Sequence, residues 1–237
     1  MITCSLKQKP VRSKAGIKIT AIALISSVSL TSCLTAKKLD KEMGKQYGWQ
    51  MTQSTPRQKD FITVKSNLPA MDNTVSKSAS KTSNMLPLLV YWQWDYTVSC
   101  AINPLIPVNS FTKTVSAYAE KDLKKKLDGR RVEISIDKIP DTFSIVDEAH
   151  LVWIIYAIGW DKIYITPVNK ELEVSYKVMD GDTEVKKGTI SVPGFDKRMQ
   201  LGMFKSWKTA TSDYLYQYDA NIQAISKMVI DRLVEEL

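Results

Sequence analysis

Histidine occurs once in the 237 residues and cysteine three times. So few ligands exclude most zinc and iron–sulfur centres and any multi-disulfide scaffold, which need four ligands or paired thiols. The chain also lacks a calcium loop, a phosphate-binding glycine loop and a dinucleotide fingerprint, and neither G-x-S-x-G nor H-E-x-x-H occurs. Acids are missing altogether from residues 1–32, which hold Lys7, Lys9, Arg12, Lys14 and Lys18. Removing those five of the 33 basic residues leaves 28 against 25 acids, so the formal charge of +8 falls to +3. The basic balance therefore belongs to the N-terminus, and it argues against a nucleic-acid partner. No apolar run approaches the roughly 20 residues of a membrane-spanning helix.

What is present at the start reads as an address. Five cations precede the apolar stretch Ile19–Leu30, and small residues follow it, the order of a cleavable signal peptide. Leu30-Thr31-Ser32-Cys33 resembles the lipobox of bacterial lipoproteins, an apolar residue and two small ones before the cysteine that is acylated. The resemblance covers about the first 33 residues. It implies a cleaved segment 1–32, lipidation (palmitate among the chains) at Cys33 and stable anchoring, since several acyl chains hold where one is marginal. A plain signal peptide with an incidental Cys33 is the alternative. Leu34 is not the aspartate that retains lipoproteins in the inner membrane, so the resemblance implies the outer membrane, on its periplasmic face, with surface exposure as the other option.

Residues 33–60 are polar and basic without sustained periodicity and read as a lipidated tether. Residues 61–237 read as one domain, with Phe61–Val64 a short strand and the Ser-, Lys- and Asn-rich stretch 65–84 a mobile loop. Leu88, Val90, Trp92, Trp94, Tyr96 and Val98 alternate with polar residues, as in a half-buried strand. Phe111, Val115, Tyr118, Leu123 and Leu127 share one face of a helix from Ser110, with Gly129 as its left-handed cap. Arg131–Asp137 alternates again. Ala149–Ile158 is almost wholly apolar and reads as a central strand covered on both faces, with a buried helix as the alternative. Leu172–Val178 and Val185–Val192 flank Asp180-Gly181, the sign of a hairpin. Leu215, Tyr218, Ile222, Ile225, Val229 and Leu233 mark a final helix. The order β-β-α-β-β-β-β-α predicts an α+β fold, a mixed or antiparallel sheet with both helices packed on one face.

The candidate chemistry is sparse. His150 lies beside Asp147 and Glu148, which could orient a general base, but the simpler reading is a histidine with a satisfied hydrogen bond. Cys100, the thiol left once Cys4 is removed and Cys33 acylated, reads as a buried small hydrophobe; a Cys100–His150 dyad requires proximity that sequence does not supply. Trp92, Trp94 and Tyr96 read as core, and Tyr91 as exposed. Lys124, Lys125, Lys126, Arg130 and Arg131 complement a helix C-terminus. The order of elements behind the lipobox resembles that of ABC-transport auxiliary and related envelope lipoproteins. The expectation is therefore a non-catalytic envelope lipoprotein, free of cofactor and metal, that docks an envelope partner through Tyr91, Gln93, Lys124 and Arg130. The aromatic content keeps a glycan- or lipid-binding lipoprotein as the alternative.

Overall fold

The computed structural model describes residues 34–53, 56–83, 86–87, 89–154, 156–194, 196–201 and 206–237. Cys33 and the segment 1–32, expected as a signal peptide, lie outside the described residues, and Leu34–Leu237 forms one compact unit. The fold is α+β, built on two sheets where one was expected. The first has the order β1 (Ile62–Ser66), β5 (Arg131–Lys138), β8 (Glu171–Asp180), β9 (Thr183–Pro193), with β1 parallel to β5 and the rest antiparallel. The second is antiparallel throughout, in the order β10 (Met199–Gln200), β7 (Ala157–Pro167), β6 (Thr142–Trp153), β4 (Tyr91–Ile102), β2 (Ser76–Thr82), and the short β3 (Leu86–Pro87) also pairs with β4. Four α-helices are described, α1 (Ala36–Tyr47), α2 (Leu105–Tyr118), α3 (Leu123–Leu127) and α4 (Trp207–Glu236).

The strict alternation of β5, β8 and β9 buries Val132, Ile134, Ile136, Val174, Val178, Ile190 and Val192 on one side of the first sheet. Gly181, at φ +59°, opens the two-residue turn between β8 and β9, the position a II′ hairpin gives to glycine. Opposite Tyr176, Gly188 leaves room for the ring, because a Cβ there would stand 2.7 Å from it. The hydroxyl of Tyr176 donates to Glu236, which ties β8 to the end of α4.

Helix α4 joins the two sheets. Ser206 caps its start by accepting from the Thr209 amide, and its stripe Trp207, Tyr214, Tyr218, Ile222, Ile225, Val229 and Leu233 is buried. It packs against α2, β9 and β7. Tyr214 meets Phe143 with ring centroids 4.9 Å apart, and the Tyr218 hydroxyl donates to the Pro140 carbonyl at 2.6 Å. Residues of both sheets and of all four helices share one core.

Four expectations are corrected. Leu34–Asp60 is no tether: Thr35 caps α1, and Leu39, Met43 and Tyr47, four residues apart, are buried against β2 and β4. A stripe of three apolar residues among lysines is one side chain per turn, too narrow to register as periodicity. The segment 65–84 is not one mobile loop, for it contains β2, a Ser- and Lys-rich edge strand paired along β4 from Ile102 to Tyr96. Such polarity is how an edge is protected, and it reads as loop when the partner strand is unknown. Ala149–Ile158 is not one central strand. β6 ends at Trp153, the chain turns, and β7 returns from Ala157. The helix expected from Ser110 to Leu127 is also two helices: α2 starts at Leu105, where Asn103 Oδ1 accepts from the Leu105 amide, and Pro107 sits in its first turn, where no intrahelical N–H is lost.

Candidate functional site

Strands β4, β6 and β7 run side by side, each neighbouring pair registered over eleven positions. At the level of Val98, Ile145 and Ile165 all three residues are buried. Eight positions further along, Trp153 faces Ala157, so at about 3.3 Å per residue the sheet extends roughly 26 Å beyond that buried level as an arm. Its end is apolar and open to solvent: Trp153 is 56%, Ile154 73%, Tyr156 80% and Ile158 62% exposed, and Leu89 and Val90, just before β4, are also exposed.

Register assigns the arm's side chains to two faces. One carries Trp92, Trp94, Tyr96, Asp147, Leu151 and Asp161, and continues downward into the core through Val98 and Ile145. The other carries Tyr91, Gln93, Asp95, Glu148, His150 and Trp160. On this second face His150 is buried in a stack, its ring 5.2 Å from Trp160 and 6.0 Å from Tyr91. The Tyr91 hydroxyl lies 2.7 Å from His150 Nδ1 and 3.1 Å from Gln93 Oε1. One hydroxyl proton serves one acceptor, so the consistent arrangement has Nδ1–H donating to Tyr91 and Tyr91 donating to Gln93. His150 Nε2 is buried with no hydrogen-bond partner among the described residues. Neither neighbouring carboxylate orients the ring, because Asp147 points to the opposite face and Glu148 accepts from the Tyr164 hydroxyl instead. The stack cross-braces three strands.

Cys100 is buried at the level of Phe143, seven positions from Gln93 and hence about 23 Å from His150 along the strands, on the opposite face. Burial pushes its thiol up to about 11, which removes it as a nucleophile at neutral pH. The Cys100–His150 dyad is thereby ruled out. Asp147 is raised to about 6, first by burial and then by Asp161 on the same face. Its Oδ1 has no hydrogen-bond partner among the described residues.

The expected contact residues separate. Tyr91 and Gln93 are half-buried in the stack, not exposed, because the histidine reached through register engages them. Lys124 and Arg130 belong to the first sheet's surroundings: Lys124 lies over the Phe61 ring, and Arg130 donates to the Leu127 and Lys126 carbonyls, closing the end of α3. The four do not form one surface. Trp94, expected in the core, is half-buried above it, and its expected neighbour Val90 is exposed.

A second concavity of about 690 Å³ lies between α2, α4 and the 3-10 turn Gln50–Thr52. Trp49, Lys113, Tyr118 and Lys227 border it, and at its wall Tyr47 donates to Asp219 at 2.8 Å. Burial raises the Asp219 carboxyl. Ser110 and Lys113, three residues apart on α2, also line it and form an S-x-x-K pair that was missed in the sequence. Lys113 is exposed, and no hydrogen bond joins it to Ser110 among the described residues. No group of three or more metal-ligating side chains occurs among the described residues. What sequence reasoning missed above all is the arm's end, whose signal was a run without charge from Ala149 to Trp160. No protein family, curated protein or solved structure matches this chain, so its function has to be argued from these residues alone.

Proposed function

We propose that the chain is a non-catalytic, lipid-anchored lipoprotein of the bacterial outer membrane that serves as an accessory or docking component of a transport or envelope-assembly system. The observation that carries this reading is Leu30-Thr31-Ser32-Cys33 behind a basic segment and a short apolar run. Only Leu34 and Thr35 separate Cys33 from α1, so acylation would hold a folded body close to the bilayer instead of on a long tether. Replacing Cys33 with Ser is expected to abolish incorporation of a fatty-acid probe and to release or mislocalise the protein; label retained in that variant would overturn the reading.

The groove beside Trp49 favours a second reading, a ligand-binding lipoprotein. Its volume lies within the 300–1,000 Å³ of small-molecule sites, and aromatic and cationic side chains border it. Binding of a glycan or lipid that is lost in Trp49→Ala with the fold intact would promote it.

A further inference from the structure

We infer that the end of the β4–β6–β7 arm is a membrane-seating device that enters the interfacial layer of a phospholipid bilayer. The inference rests on the envelope reading only for the nearness of a bilayer, and it does not need Cys33 to be acylated.

Three observations single out lipid. Apolar side chains leave the arm on both faces and at its end: Val90 and Trp153 lie on one face, Ile158 on the other, and Ile154 and Tyr156 at the tip. A protein docked on a sheet face would cover one set and leave the other in water, whereas a surrounding medium covers both. Next, charge stops at one level on all three strands. Asp95, Glu148 and Lys162 stand opposite one another, Asp161 lies one position beyond, and no charged residue follows on β4, β6 or β7 up to the turn. From Asp161's level to Trp153 is four positions, about 13 Å, close to half of the roughly 30 Å hydrocarbon core. Finally, Trp94 stands at the level of Asp161 and Trp160 one position beyond it, at the border between the charges and the apolar end, where indole rings sit at a bilayer surface.

Depth is limited by the backbone. β10 pairs with β7 at Ile165 and Tyr164, and the Leu201 amide donates to the Ile163 carbonyl, so only beyond Ile163 does the outer edge of β7 have no strand partner among the described residues. Bare edge amides are not tolerated in hydrocarbon. The arm therefore dips to the headgroup and acyl boundary and does not span. The charged level holds three carboxylates and one lysine, so anionic lipid is not what draws it and the contact should be insensitive to salt.

The test places p-benzoylphenylalanine at Tyr156 of the full chain, and at Val185 on β9 as a control, in membranes of a Gram-negative host. Illumination is expected to give a phospholipid adduct at Tyr156 and none at Val185. A Tyr156 adduct with another protein, or with a second copy of this chain, or no adduct at all, would overturn the inference. As an independent measure, Ile154→Asp with Ile158→Asp, checked for unchanged cooperative unfolding, should lose most of the tryptophan quenching seen in phosphatidylethanolamine–phosphatidylglycerol vesicles with brominated acyl chains; undiminished quenching would also overturn it. An acylated chain without a lipid adduct defeats the arm and spares the lipoprotein reading, and an unacylated chain with one does the reverse.

Discussion

The hairpin of β8 and β9 turns through Gly181 and Asp182, carries exposed Lys186 and Lys187, and pairs Lys177 with Glu184 at 3.1 Å, while β6 and β7 turn past Ile154 and Tyr156 without a charge from Ala149 to Trp160. Both ends are exposed, so exposure alone does not explain their chemistry. A hairpin end kept in water is charged, which protects its open edges from pairing with other strands. The apolar one therefore answers to another medium. Below that end the same strands enter the core, and the contrast between covered and uncovered halves can be measured within one sheet.

The largest effect is expected there. Ile145→Ala, in the covered half, should cost about 2–5 kcal/mol, the range for emptying a packed site, and Ile158→Ala in the arm about 0.5 kcal/mol or less. Urea unfolding of the two variants checks it, and equal losses would break the comparison. The charged hairpin should feel its turn: Gly181→Ala places a Cβ at φ +59° and should cost about 1–2 kcal/mol. The smallest effect concerns Asp147. Its folded-state carboxyl, raised to about 6, lies above the ordinary value near 3.9, so stability linked to it is fully present below about pH 4 and lost as pH rises through 6. Asp147→Asn should then gain about 1 kcal/mol at pH 7.5, after allowance for solvent screening of a half-exposed group, and nothing at pH 3.5. Denaturation midpoints at the two pH values test this, and a gain that persists in acid would point to packing instead of charge.

Much of the body was legible because its faces differ. β5, β8 and β9 meet core on one side and water on the other, so their alternation is written in the residues, as is the stripe of α4. Asp180-Gly181 marked its hairpin for the same local reason. Helix α1 escaped notice because Leu39, Met43 and Tyr47 supply its whole buried side, and β2 because its order comes from the backbone of β4. The apolar stretch from Ala149 was read as doubly buried since apolarity on both faces says that water is excluded, but not by what. The Tyr91–His150–Trp160 stack joins residues from three strands, and only register brings them together.

Helix α4 follows every strand in the chain and touches both sheets. Tyr47 reaches Asp219 across 172 residues of sequence, and β1 waits for β5, some 70 residues later, to form their parallel pair. A polypeptide emerging from its N-terminus accordingly cannot close its core until α4 has appeared. Contacts of such long sequence separation make folding slow, and the apolar faces awaiting α4 stand open in the meantime. Truncations that remove α4 should accordingly yield aggregates, not a smaller domain.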